Sequence, residues 1–336
     1  MDSVPIIDVT SLVCNEKDLV QQEETAKQIH NACQEWGFFY IKSHGISQQL
    51  QEKLQKQSKI FFAQPVDEKM KISMTNGGRA WRGYFPVGDE LTSGKPDQKE
   101  GIYLGTELSS AHPKVESGIP LHGKNLFPEN MPEFKNTILQ YINEMEKLAH
   151  SLMMGVSLSL GLEADFFEKN YLKEPTCLFR IFNYPANKNT NRSEETWGVG
   201  EHTDYGLLTI LLQDNTGGLE VKSKSYGWVK APPIPDTFVC NIGDMLDRMT
   251  GGFYRSTPHR VKNITNSDRL SFPFFFDPSW DSNIKVLPLP SSEPDTNERW
   301  DRLNVYKFNG TYGDYIMKKV SKVFPDLAVK QAVVVQ

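Results

Sequence analysis

From Pro175 onward the chain is written in short apolar runs cut apart by turn residues, and that pattern admits few folds. The candidate strands cover 177–183, 201–213, 219–221, 227–231, 237–242, 259–263 and 270–276. Asn-Thr-Gly-Gly at 215–218, Pro-Pro-Ile-Pro at 232–235 and Thr-Gly-Gly at 250–252 punctuate them. Many short strands with Gly/Pro turns stack into a sandwich or close into a barrel, jelly rolls among them.

The first half reads as helices. Ala26, Ile29, Cys33 and Trp36 recur on one helical face that Gly37 stops. Residues 38–41 then form an aromatic strand that Ser43-His44-Gly45 ends. A second helix carries Leu50, Leu54 and Phe61 and stops before Pro65, and 76–132 reads as long loops rich in Gly, Pro and Ser. Phe134, Ile138, Tyr141, Met145, Leu148 and Leu152 keep helical spacing in a third, longer helix, and another helical stretch falls around 312–323, after Trp300. The length of 336 residues suits one large domain or two fused parts with an ample core.

Net charge is −5, with Lys and Arg spread thinly, which argues against a nucleic-acid or anionic-membrane surface. No segment approaches the apolar length of a membrane span. The opening Met-Asp-Ser-Val-Pro lacks a signal peptide's basic and apolar regions, and the closing Ala-Val-Val-Val-Gln is no organelle address. Cys14, Cys33, Cys177 and Cys240 form no C-x-x-C pair, and Cys33 and Cys240 fall at core positions. A reducing compartment follows, with a cytoplasmic location as the expectation.

Chemistry concentrates in three residues. His202 and Asp204 are spaced His-x-Asp inside a predicted strand, where alternate side chains share a face. His259 lies far downstream, where a facing strand supplies it. Two imidazoles and one carboxylate are what a 2-His-1-carboxylate iron site requires, although a His–Asp hydrogen bond inside a barrel fits the same spacing. His30, His44 and His150 read as ordinary structural histidines, His44 bonding backbone beside Gly45. Ten residues after His259, Arg269 and Ser271 share a strand face that Phe275 continues. A guanidinium and a hydroxyl side by side hold a carboxylate. The strand Leu-Ser-Phe-Pro-Phe-Phe-Phe is too apolar for a surface, so Arg269 needs a buried anionic partner.

With these residues in place, the chain resembles the isopenicillin N synthase-like group of 2-oxoglutarate/Fe(II)-dependent dioxygenases over nearly its whole length. Val4-Pro5-Ile6-Ile7-Asp8 is similar to the family's opening strand, and Trp36-Gly37-Phe38-Phe39-Tyr40-Ile41 with Ser43-His44-Gly45 to its N-terminal signature. Arg82-Gly83-Tyr84-Phe85-Pro86 and the segment Gly94 to Glu100 resemble a frequent loop segment. Phe182-Asn183-Tyr184-Pro185, His202-Thr203-Asp204, Asn241-Ile242-Gly243-Asp244, Tyr254 to Val261 and Arg269-Leu270-Ser271 complete the series in order.

The resemblance implies a mainly β fold with flanking helices: a double-stranded β-helix (jelly-roll, cupin-like) core with a helical N-terminal region. The expected divisions are an N-terminal region at 1–130, a long helix and connector at 131–175, the jelly-roll core at 176–285 and a C-terminal helical extension at 286–336. Implied ligands of Fe(II) are His202, Asp204 and His259, with Arg269, Ser271 and Tyr184 around the co-substrate 2-oxoglutarate. Where typical members read Asn-Tyr-Tyr-Pro this chain reads Phe182-Asn183-Tyr184-Pro185, so no role passes to the asparagine. O2 is consumed, ascorbate serves as reductant, and a small organic molecule is oxidised, most simply hydroxylated, with release of succinate and CO2. Halogenases of the family lack the carboxylate, so Asp204 disfavours halogenation. The expected substrate pocket takes Phe275, Arg180, Arg82 and Tyr84, within an aromatic patch of Trp81, Tyr84 and Phe85 and under the C-terminal helix. Arg180 either approaches an acidic substrate or meets solvent at a strand edge. Two further readings stand: an Fe(II) oxidase of the isopenicillin N synthase or ethylene-forming type that keeps Arg-x-Ser without using 2-oxoglutarate, and a non-redox metal-binding cupin-like protein.

Overall fold

The computed structural model describes residues 3–14, 18–92, 95–186, 197–262, 266–289 and 304–323. Gly94, Asn263, Trp300 and the closing Ala-Val-Val-Val-Gln lie outside them.

The chain opens with β1 (Ile6–Asp8), α1 (Thr10–Val13) and α2 (Leu19–Glu35). Asp18 caps α2 by accepting from the Gln21 amide, and Ile29 and Cys33 are buried on the predicted face. Gly37 turns the chain with φ 64°, and a Cβ there would strike the Arg255 carbonyl at 2.4 Å. β2 (Phe38–Lys42) and α3 (Gln48–Phe62) follow, α3 capped by Ser47 onto the Leu50 amide. Then come α4 (Val66–Met70), β3 (Gly83–Phe85), the short hairpin β4 (Leu91–Thr92) and β5 (Lys95–Pro96), β6 (Glu100–Gly105) and α5 (Pro113–Glu116). The stretch read as long loops therefore holds strands. Every residue of β6 is buried, because β6 pairs along β7 and extends the main sheet. Its Gly-Ile-Tyr-Leu-Gly run is too short to stand out among turn residues.

α6 (Pro132–Ser159) buries the six apolar positions predicted for it, and α7 (Phe166–Asn170) follows. The second half is β7 (Pro175–Tyr184), β8 (Val199–His202), β9 (Leu208–Gln213), β10 (Leu219–Ser223), β11 (Gly227–Lys230), β12 (Phe238–Ile242), α8 (Asp244–Met249), β13 (His259–Val261), β14 (Arg269–Ser279) and α9 (Tyr312–Val323).

Two sheets form the core. The larger has the order β1-β2-β12-β9-β14-β7-β6-β3 and the smaller β11-β10-β13-β8. This is the mainly β jelly-roll architecture with flanking helices. β14 shows how a strand alternates between two environments. Phe272, Phe274 and Phe276 are wholly buried on one face, each contributing roughly 1.5–3 kcal/mol through burial. Ser271, Pro273, Phe275 and Asp277, on the other face, line the cavity between the sheets. No helix among the described residues is long and apolar enough to cross a membrane.

Candidate metal centre and anion clamp

A cavity of about 460 Å³ opens between the sheets. His202 ends β8 and stands directly opposite His259 at the head of β13, the adjacent antiparallel strand. The second histidine thus comes from the neighbouring strand of one sheet, and the expectation of a facing strand is corrected. Asp204 corrects a second expectation. The predicted run 201–213 breaks after His202, and Asp204 sits in the turn before β9. Three backbone bonds hold that turn: Asp244 N to Asp204 O (2.8 Å), Met245 N to Gly206 O (3.0 Å) and Gly243 N to Leu207 O (3.1 Å). The His-x-Asp pair converges through this clamped turn, where strand alternation plays no part.

The ligand atoms of His202, Asp204 and His259 lie within 4.8 Å of one another. Each imidazole turns Nδ1 to a nearby carbonyl, His202 to Gly200 (2.8 Å) and His259 to Thr257 (3.2 Å). Both Nε2 atoms then face Asp204 Oδ1, at 4.0 and 3.7 Å. Asp204 Oδ2 accepts from Thr209 Oγ1 (2.6 Å) and Asn241 Nδ2 (2.7 Å), leaving Oδ1 to the histidines. Burial would raise the Asp204 carboxyl, but His259, His202 and the Asn241 and Thr209 bonds hold it below its usual range. Burial and the adjacent His259 push His202 down, so its ring is neutral with a lone pair to donate. Two imidazoles and one carboxylate, their donor atoms turned toward one another, fit Fe(II).

At the other end of the cavity Arg269 is fully buried. Its Nε donates to Gly217 O (2.5 Å), Nη2 reaches Gln213 Oε1 at 3.5 Å, and the guanidinium lies 4.8 Å over the Tyr184 ring. Nη1 is buried with no hydrogen-bond partner among the described residues. Ser271 and Tyr184 line the same cavity. A guanidinium in this state calls for an anion.

Arg180 also reaches the cavity. β7 lies between β14 and β6, so the strand-edge solvent contact is overturned. Its guanidinium packs 4.2 Å from the Tyr103 ring and 4.8 Å from Phe275, with Glu90 at 3.6 Å. Phe275 lines the cavity as expected. Arg82 and Tyr84 do not. Arg82 donates to Leu121 O (2.8 Å), and Tyr84 donates to Glu100 (2.6 Å) while packing against Phe61. Trp81 is buried away from the cavity wall as well. The aromatic patch is core because 72–85 folds down onto α3 and β6 rather than over the site.

Sequence reasoning missed several wall residues. Thr209 and Asn241 support Asp204, and Asn241 lies in a segment singled out without a role. Glu90 and Lys99 pair at 2.8 Å beside Asp97, all buried at the cavity wall or just behind it. Burial would lower Lys99, yet Glu90 and Asp97 hold it above its usual value. Charged residues in a polar loop carry no signal that they will be buried. On α9, Ile316, Lys319 and Val323 close the wall, as expected of the C-terminal helix.

Comparison with known proteins agrees with this geometry. Residues 4–130 match the N-terminal region of non-haem dioxygenases in morphine synthesis, and 175–278 match the 2OG-Fe(II) oxygenase superfamily. A probable iron/ascorbate oxidoreductase of Dictyostelium discoideum is 51% identical, over 97% of this chain and 96% of its own. A 1-aminocyclopropane-1-carboxylate oxidase of the same organism is 43% identical over 99% and 98%. The solved structure of a full-length Neurospora crassa protein in complex with alpha-KG and thymine superposes with a TM-score of 0.77 at 28% identity, over 95% and 96% of the two chains.

Proposed function

The chain belongs to the 2-oxoglutarate/Fe(II)-dependent dioxygenase family, and on that premise we propose that His202, Asp204 and His259 hold its iron while Arg269, Ser271 and Tyr184 hold the keto acid. The protein is an oxidoreductase that uses Fe(II), 2-oxoglutarate and O2, with ascorbate as reductant, on a small organic molecule. The carrying observation is the buried Arg269 Nη1 without a partner among the described residues, its guanidinium stacked on Tyr184, which with Ser271 lines the same cavity as the triad. Neither a zinc hydrolase nor an empty metal store gives that guanidinium a purpose.

When bound, the iron supplies oxidation of a substrate C–H bond, coupled to decarboxylation of the keto acid and release of succinate and CO2. In a hydroxylation, substrate, 2-oxoglutarate and O2 become hydroxylated product, succinate and CO2, so atoms balance without another oxidant. The residues' part is placement. Backbone carbonyls fix both imidazoles with Nε2 inward, and Thr209 and Asn241 fix Asp204 with Oδ1 inward. Arg269 and Ser271 receive the distal carboxylate. Phe275 and the ring-stacked Arg180 shape the substrate side, where Arg180 receives an acidic group of the substrate. Three buried free thiols, Cys33, Cys177 and Cys240, suit a cytoplasmic setting.

Anaerobic loading with Fe(II) followed by 2-oxoglutarate tests the assignment. A visible absorption band that requires both, and oxygen-dependent succinate release, are the expected results. Absence of both in correctly folded protein sinks the reading. A band without succinate points instead to an oxidase that does not consume the keto acid.

A further inference from the structure

The loop that carries Asp204 lies outside the sheet ladder, so something else must fix it. Three of its backbone carbonyls accept from the amides of Gly243, Asp244 and Met245, at the start of α8. The Asp244 carboxylate is wholly buried, accepts from Tyr315 Oη at 2.7 Å and lies 3.5 Å from Lys319 Nζ. Across the loop, the buried Asp277 carboxylate presses against Gly206: a Cβ at Gly206 would fall 1.3 Å from Asp277 Oδ1. Asp277 Oδ2 accepts from Tyr312 Oη. Tyr312, Tyr315 and Lys319 stand one turn apart on one face of α9, and the helix also gives Ile316, Lys319 and Val323 to the cavity wall.

We infer that α9 latches the metal-binding loop from both sides, with Tyr312 and Tyr315 as positioning residues for Asp204, Tyr312 acting through Asp277 and Tyr315 through Asp244. The inference rests on the reading of His202, Asp204 and His259 as metal ligands. Burying two hydroxyls and two carboxylates costs solvation that only well-made bonds offset. A helix that merely capped the barrel would bury apolar side chains there. Because α9 walls the substrate space and grips the loop, a change in its docking moves both together.

The test is metal binding, which needs no known substrate. Full-length metal-free protein and its Tyr312→Phe, Tyr315→Phe and double variants are titrated with Mn(II), read by the resonance of the free ion. Co(II) absorption bands are recorded on the same samples, and thermal midpoints without metal. Loss of both hydroxyls is expected to weaken Mn(II) about tenfold, each alone by about threefold, and to shift the Co(II) bands. The apo midpoints should move by only a few degrees. Variants that melt earlier yet keep wild-type Mn(II) affinity and Co(II) bands overturn the latch and leave the ligands standing. Wild-type protein that binds neither ion overturns the ligand assignment, and the latch with it. Should the double variant fail to fold, the single variants carry the same two outcomes.

Discussion

At the proposed metal end of the cavity the candidate ligands stand where regular structure stops: His202 closes β8, Asp204 lies in the following turn, and His259 opens β13. At the anion end, Arg269 and Ser271 occupy successive inward positions of the eleven-residue β14. The first end takes its geometry from a web of bonds reaching Thr209, Asn241, Gly243, Asp244 and Met245. The second takes it from strand register and burial, since β14 is paired on both sides by β7 and β9. A site at strand ends gains convergence and needs clamping. A site on a strand gains rigidity and depends on the residue itself.

The contrast can be broken by substitution. Asp204→Ala should give the largest effect: loss of detectable metal binding and a fall in succinate formation of about a thousandfold or more, the several kcal/mol that a metal supplies. Wild-type succinate rates in that variant would remove the iron from this end. Arg269→Ala comes next. Truncating one partner of a buried charge pair costs about 2–5 kcal/mol, so the apparent affinity for 2-oxoglutarate should drop by roughly thirtyfold to a thousandfold. Mn(II) affinity should stay within about twofold. Equal losses of metal and keto acid would show that the two ends are one structural unit.

Asn241→Ala sharpens the comparison, because its side chain bonds Asp204 and makes no contact with the Arg269 end. Metal affinity should fall about tenfold with the 2-oxoglutarate KM unchanged. A shifted KM with intact metal binding would contradict the division.

The smallest effect concerns pH. Burial pushes the Asp277 carboxyl from 3.8 up to about 7, with Asp204 adding repulsion. Its folded value is above its unfolded one, so its contribution to stability is fully present below about pH 3.8 and lost as pH rises through about 7. Asp277→Asn cannot titrate. Urea unfolding of metal-free protein should therefore show wild type losing stability relative to Asp277→Asn between about pH 4 and about pH 7. Parallel curves for the two proteins across that window would show that Asp277 does not titrate there.

Much of the site is legible in the sequence because its chemistry is carried by rare residue types in apolar surroundings. A carboxylate and two imidazoles inside strand-like runs, and an arginine heading a phenylalanine-rich strand, have few uses other than binding something. The helical stripes of α2, α3 and α6 are legible for the same reason, since their periodicity states which face is buried. Arg82 and Tyr84 mislead. An aromatic, basic segment among turn residues looks like a pocket rim, yet Glu100, Leu121 and Phe61 hold it in the core. Those partners are distant in sequence, and no local pattern names them.

The sequence by itself named the candidate donor set and anion clamp, the main helices, most strands of the second half and the class of chemistry, because each rests on residue type and short spacing. Tertiary structure alone decided that Asp204 is aimed by a turn, that His259 sits beside His202 in one sheet, and that α9 reaches both sides of the metal loop. Those facts depend on which distant backbone and side-chain groups satisfy one another once buried, and that pairing exists only when the chain has closed on itself.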